Sequence, residues 1–274
     1  MQDNRVMITA NDVLVNVPYV DGCGFWFDHH SSEHERMALA GKYRGASEMK
    51  ASTARVIYDY YTAVRADAAR LEKFKEMVEA VDKADSGHYT IDDILDPQGW
   101  MMLAFIADPR TGLGYHHTFR ISNFELMKTL PRLLATMPID EILTLPDFQE
   151  RVRLYRSETD SYKEFILEHA RVDGDAIIID LRLAKPIPTG NRFIEYTLFP
   201  DQNISIRLVP AKNREYIMFS IGHSTINRTS RVNVGSLTLR YGGGGHRQVG
   251  TCQVPASDAD WVLKEIIQVI NTWE

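Results

Sequence analysis

The first chemistry-bearing stretch of the chain is CGFWFDHHSSEHE, running from Cys23 to Glu35. Its opening residues, Cys23 to Phe27, are short and apolar and read as a buried strand. The strand then gives way to Asp28, His29 and His30. Successive strand residues point to opposite faces, so three polar side chains in a row cannot all reach water while the strand stays buried. Either the strand ends there and the trio fans into a loop, or the interior has a use for it. Carboxylate and imidazole are usual oxygen and nitrogen ligands of a divalent metal. The carboxyl end of a parallel strand is also where open α/β sheets place their ligands. A self-satisfied hydrogen-bonded cluster accounts for the trio equally well. A second pair, His116 and His117, reads as loop or surface.

Two further stretches carry chemistry. Leu71, Phe74, Val78 and Val81 recur at helical spacing, and the next place on that stripe is Asp85, with Asp82 on its flank. A carboxylate continuing a buried stripe is costly unless it is paired or bound to metal. Asp85 is the better placed of the two acids for a metal, although a helix that simply ends there with both acids in water is the simpler account. In LTLRYGGGGHRQVGTCQV, four consecutive glycines, Gly242 to Gly245, precede His246 and Arg247. Glycines permit positive φ and close approach of backbone to a ligand, and successive N–H groups in such a loop can form an anion-binding nest. A floppy linker fits poorly, because apolar segments flank the run closely on both sides. From Ile204 to Arg247 there are seven Lys or Arg against one acid, Glu215, in a chain of net charge −6. That is local positive charge where a phosphate could sit.

The elements that must position these groups fall into two halves. Residues 12–17 and 23–27 read as strands of a parallel-type sheet, and Ser32 with Glu35 is a capping-box pattern opening a helix after the histidines. Helices are expected over 51–64 and 66–84. Ser122 with Glu125 opens another, disturbed at Pro131, and a polar helix runs from Pro146 to about Arg171. At 1.5 Å per residue that helix would span roughly 37 Å, enough to bridge two domains, though a surface helix within one domain fits nearly as well. After Asp173-Gly174 the pattern becomes strand-like over 176–183, 192–199, 204–209 and 216–221. A final helix is capped by Ser257 with Asp260 and buries Val262, Leu263, Ile266, Ile270 and Trp273.

Composition narrows the class. The net charge of −6 argues against broad binding of nucleic acid, long duplexes included. The two cysteines, Cys23 and Cys252, make neither a disulfide framework nor a zinc spacing and read as free thiols in a reducing compartment. No apolar run approaches the roughly 20 residues of a membrane span, and the first residues carry no secretory signal. The expectation is a soluble, cytoplasmic α/β protein.

Together, Asp28-His29-His30 and Gly242–His246 resemble the two hallmark motifs of the DHH phosphoesterase family. The resemblance covers nearly the whole chain in the expected order, and FDHHSSE and YGGGGHRQVGTCQV are most similar to the exopolyphosphatase-related branch. It implies a Rossmann-like DHH domain with a mostly parallel sheet over 1–121, a helical linker over 122–171, and a smaller α/β DHH-associated domain over 172–274 that binds substrate. It implies hydrolysis of phosphodiester or phosphoanhydride bonds with Mn2+ or Mg2+, in a cleft that closes over a phosphorylated small molecule, polyphosphate or short nucleotide. A homodimer is compatible with it. His29 would be a metal ligand and Asp85, in ADS, a second. His30 would sit beside the substrate phosphate, with Asp28 holding the motif in place. Gly243, Gly244, Gly245 and His246 would cradle phosphate, with Arg228 and Arg231 as further contacts.

Two departures matter. The family's first motif, D-x-D-G, is absent, so the chain reads as starting downstream of it, with an N-terminally shortened DHH domain. The aspartate that bridges two metals is replaced by Asn16, in VLVNVPY, and a neutral amide bridges two dications poorly. One metal, on His29, Asp85 and Asn16, is then the most the chain would hold. The leading expectation is an exopolyphosphatase-related phosphohydrolase. The alternatives are a weakened phosphate or nucleotide binder, and a phosphodiesterase of short oligonucleotides or cyclic dinucleotides.

Overall fold

A computed structural model of the protein describes residues 7–30, 43–64, 69–116, 118–184, 186–211 and 214–272. The chain divides into two compact units, Met1–His88 and Tyr89–Glu274. On the family pattern we retain a helical linker over 122–171 and an associated domain from residue 172 as proposals.

The first unit is built on a parallel sheet of three strands, β1 (Val13–Val15), β2 (Phe25–Asp28) and β3 (Gly45–Ser47), in the order β1-β2-β3. β2 is central and buried, as its apolar sequence requires. Trp26 packs with Leu14, Tyr19 and Tyr43 on one side, and Phe27 meets Tyr60 and Tyr61 of helix α1 (Thr53–Val64) on the other. The register aligns Val15 with Phe27 and Asp28 with Ser47. Asn16, His29 and His30 therefore all follow the carboxyl ends of parallel strands.

The helix expected over 66–84 is instead two pieces, α2 (Ala69–Glu72) and α3 (Lys75–Asp85), separated at Lys73 and Phe74. Its apolar stripe is shallow. Val78 is buried, but Val81 is 36% exposed and the Asp85 side chain 43%. Asp85 thus does not continue a buried stripe. The expected helix start at Ser32 lies outside the described residues.

In the second unit, helices α4 (Ile91–Leu95), α5 (Gly99–Ala107), α6 (Asn123–Thr136), α7 (Ile139–Thr144) and α8 (Pro146–His169) precede the sheet. Ser122 caps α6 by accepting from the Glu125 N–H, and the helix runs on across Pro131. α8 buries Phe148, Val152, Tyr155, Tyr162, Phe165 and Ile166 at helical spacing within its own unit. Among the described residues no helix is long and apolar enough to cross a membrane.

The sheet has six strands, β4 (Ala170–Asp173), β5 (Ala176–Asp180), β6 (Ile204–Pro210), β7 (Tyr216–His223), β8 (Gly244–Gly245) and β9 (Val249–Pro255), in the order β4-β5-β6-β7-β9-β8. Side chains alternate across it. Ile204, Ile206, Leu208, Ile217, Phe219, Ile221, Cys252 and Val254 pack against helices α10 (Val234–Leu239) and α11 (Ala259–Thr272). Truncating a fully buried member such as Ile266 to alanine would cost about 2–5 kcal/mol. The opposite face carries Ser205, Arg207, Met218, Ser220 and Thr251.

Two expectations fail here. Residues 192–199 form no strand; Ile194–Leu198 is a helix, α9. Its apolar content and period suited either element, and tertiary contacts decide it: Tyr196 Oη bonds Ser205 Oγ at 2.8 Å and donates to the Gly222 carbonyl, while Glu195 pairs with Arg207. The cap of α11 is Asp258, whose carbonyl accepts from the Val262 N–H; Ser257 donates to the Asp258 side chain instead.

Candidate active site

Asp28 ends β2 with no solvent exposure. Its carboxylate accepts from the His30 backbone N–H at 2.8 Å and lies 3.0 Å from His30 Nδ1. A carboxylate can only accept, so His30 carries its hydrogen on Nδ1. The buried polar residue is therefore a bracket that fixes the histidine's orientation.

His29 is held differently. Its Nδ1 donates to the Lys50 carbonyl at 3.1 Å, and its Nε2 lies 3.3 Å from Asp85 Oδ2. With Nδ1–H committed, Nε2 and the carboxylate present facing lone pairs, which need positive charge between them: a proton, or a metal ion. Two cis ligands of an octahedral Mg2+ stand about 3 Å apart, so the pair suits a cation that keeps most of its water. A backbone carbonyl on the other ring nitrogen is also the usual support for a metal-binding histidine.

The remaining groups are engaged elsewhere. Asp82 accepts from Ser52 Oγ at 2.7 Å and from Arg55, tying α3 to the start of α1. This network was not legible in the sequence, and it explains why Asp85, not Asp82, meets His29. Asn16 sits just after β1 with φ of 57°, a conformation asparagine tolerates. Its Oδ1 accepts from Thr53 Oγ1 at 2.9 Å, so it joins β1 to α1. Among the described residues no group of three His, Cys, Asp or Glu side chains comes together to hold a metal. His29 and Asp85 are the two expected ligands that the fold brings within contact distance.

In the second unit the four glycines differ in kind. A Cβ on Gly243 would lie 2.1 Å from the Thr251 carbonyl oxygen, and one on Gly245 would lie 2.2 Å from that of Val249. Packing alone demands both glycines. A Cβ on Gly244 would meet nothing within 4 Å. The expected nest of free N–H groups is largely engaged: Gly242 donates to Leu239, Gly243 to Thr238 and His246 to Val249. The loop thus offers open space beside Gly244 more than unpaired donors. His246 is exposed at its end. Arg228 Nε donates to the Thr225 carbonyl, and Arg231 lines a separate cleft of about 230 Å³ with Asp175, Asn203 and Thr229. None of Gly243 to His246 lines that cleft. His116, expected at the surface, is half-buried, with its Nε2 2.8 Å from Thr189 Oγ1.

The chain as a whole is similar to solved structures. The chain is 42% identical to the pGpG-specific phosphodiesterase PggH from Vibrio cholerae, with 99% of this chain and 87% of that one covered at a TM-score of 0.78. An exopolyphosphatase-related protein from Bacteroides fragilis shares 14% identity over 90% of this chain and 64% of that one, TM-score 0.46. The DHH domain of a protein described as a member of the S1p family of ribosomal proteins shares 13% over 75% and 53%, TM-score 0.42. No family model and no curated protein matches the chain. On the first of these likenesses, the chain belongs to the DHH phosphoesterase family.

Proposed function

We propose that the protein is a metal-dependent phosphodiesterase of short linear dinucleotides of the pGpG type. The observation that carries this is the 42% identity over 99% of the chain to a pGpG-specific phosphodiesterase. It favours the phosphodiesterase alternative over polyphosphate hydrolysis, because the likeness to the exopolyphosphatase-related protein is far weaker.

The geometry of the first unit supports it. His29 and Asp85 would hold the divalent ion, which when bound supplies Lewis-acid polarisation of phosphoryl oxygens and neutralises developing charge. Asp28 fixes the His30 ring, which would sit beside the substrate phosphate. Lys50 fixes the His29 ring through its carbonyl. In the second unit, the space beside Gly244 admits a phosphate against the sheet.

A second reading, a nucleotide binder with little turnover, is motivated by Asn16, which stands where the family has a metal-bridging aspartate. Initial rates with Mn2+ on pGpG, a cyclic dinucleotide and tripolyphosphate separate the two. We expect pGpG to turn over on the order of 1–10 per second, with the other two much slower. Tripolyphosphate cleaved faster than pGpG would overturn the proposal. Tight pGpG binding without cleavage would establish the binder.

A further inference from the structure

A cavity of about 990 Å³ lies on the polar face of the second unit's sheet, with every lining residue inside that unit. Among its described lining residues are four arginines, Arg110, Arg192, Arg207 and Arg214, and one acid, Glu195. In a chain of net charge −6 this is a concentration of positive charge in one cavity.

The acids nearby are already committed. Arg207 pairs with Glu195 and donates to Tyr162 Oη at 3.2 Å. Arg110 takes both oxygens of Asp108, at 2.7 and 2.9 Å. Arg192 is left over. Its Nε is buried with no hydrogen-bond partner and stands 3.6 Å from Asp108 Oδ2, an ion-pair separation but too long for a hydrogen bond. Burial, and then the neighbouring Arg110, push its guanidinium below the ordinary arginine value. A partly exposed guanidinium whose buried Nε has no hydrogen-bond partner, and which shares the Asp108 carboxylate with Arg110, keeps donors that an incoming anion could engage.

The rest of the cavity is not built for a bare anion. Arg192 lies over the Phe193 ring at 4.2 Å, and Leu181, Ile187 and Met218 supply apolar wall. The volume falls at the upper end of the range for small-molecule sites. The strand registers then relate the cavity to the glycine loop. Arg207 pairs with Ser220, Ser220 with Thr251 and Thr251 with Gly244, one transverse row over β6, β7, β9 and β8. Residues in such a row share a face, and three strand spacings put its ends about 14 Å apart. A single phosphate cannot cover that span. A ligand that engages both ends must be extended, and the apolar wall beside Arg192 suits a base better than further phosphates.

We propose that this cavity receives a nucleoside monophosphate unit of the substrate, with Arg192 binding its phosphate and the apolar wall its base; the assignment rests on the phosphodiesterase reading above. Arg192 is then a specificity-determining residue for a dinucleotide as against polyphosphate.

The test is calorimetric titration of the full chain, in EDTA, with GMP, guanosine, inorganic phosphate and tripolyphosphate. GMP should bind more tightly than the other three. Arg192→Gln should weaken GMP about tenfold or more, the loss of a charge-assisted hydrogen bond, and should raise KM for pGpG with little change in kcat. Ser220→Phe, which fills the cavity from the sheet without removing a charge, should weaken GMP similarly. Circular dichroism and melting check that both variants fold. Folded variants that bind GMP like the parent would overturn the proposal, as would a parent that does not bind GMP or that binds tripolyphosphate as tightly. Arg192-dependent GMP binding without pGpG cleavage would sink the phosphodiesterase reading alone and leave the cavity a nucleotide site.

Discussion

The histidine cluster after β2 and the glycine loop before β9, the two places where the proposed function has the chain meet phosphate, are made in opposite ways. In the cluster, the proposed function rests on atoms that are present and held. Asp28 orients His30, the Lys50 carbonyl orients His29, and Asp85 faces the remaining nitrogen. In the loop it is carried by atoms that are missing. Gly243 and Gly245 are glycines because Thr251 and Val249 lie too close for a Cβ, whereas Gly244 has room for one that the fold does not use. Groups that handle charge in a reaction need fixed partners. Groups that recognise shape need only a surface on which nothing intrudes.

The comparison breaks most directly at the metal pair. His29→Ala and Asp85→Ala should each abolish calorimetrically measured Mn2+ binding and lower pGpG turnover on the order of 100-fold or more. Asp82→Ala should leave Mn2+ affinity near the parent's, because Asp82 is occupied by Ser52 and Arg55. Loss of Mn2+ binding in Asp82→Ala with retention in Asp85→Ala would reverse the assignment.

Within the loop, neighbouring glycines should give different phenotypes. Gly243→Ala forces its Cβ against the Thr251 carbonyl and should cost about 1–3 kcal/mol of stability, the usual cost of overpacking. Gly244→Val should melt like the parent and bind a dinucleotide roughly tenfold more weakly, since the space it fills is a ligand's. Equal melting temperatures for both variants, or unchanged ligand affinity in Gly244→Val, would show that the loop is a packing device throughout.

How much of this the sequence disclosed follows the same division. Asp28-His29-His30 is contiguous, and the apolar run before it announces a strand end, so the cluster and its parallel sheet were legible. Asp85 was picked on its place in an apolar stripe and on the ADS motif; the first reason fails, since the stripe is not buried, and Asp82 is held by residues some thirty positions away. The motif YGGGGH was visible, but only the packing distinguishes Gly244 from its neighbours. The cavity was not visible at all. Its arginines come from a turn at Arg110, from Arg192 just before α9, from the middle of β6 and from Arg214 between β6 and β7, and the segment carrying Glu195 and Tyr196 was expected to be a strand. The alternation ISIRLV over 204–209 was the available signal: every second residue is aliphatic toward α11, which leaves Arg207 on the other face.

The smallest effect we expect sharpens the contrast in how charges are set, through Asp108. In the cluster of the first unit a carboxylate and its histidine are two residues apart; in the second unit Asp108 serves Arg110 nearby and stands 3.6 Å from Arg192, far along the chain. Burial acts to raise the Asp108 carboxyl, but the hydrogen bonds and charges of Arg110, with Arg192, outweigh it and hold it below the ordinary value of 3.8. A carboxyl depressed in the folded state contributes stability that is complete above its unfolded value and disappears as pH falls through the folded one. Asp108→Asn should therefore melt below the parent near neutral pH, by about 1–2 kcal/mol for a charge-assisted pair, or a few degrees in a unit of this size. The two melting curves should converge as the pH is lowered below about 4. With Asp108 neutral, Arg192 also loses its nearest carboxylate, so GMP, which carries a replacement anion, should stabilise the variant more than the parent. A gap that persists at low pH would mean that Asp108 acts through packing, and that the arginines of the cavity are placed by shape without regard to charge.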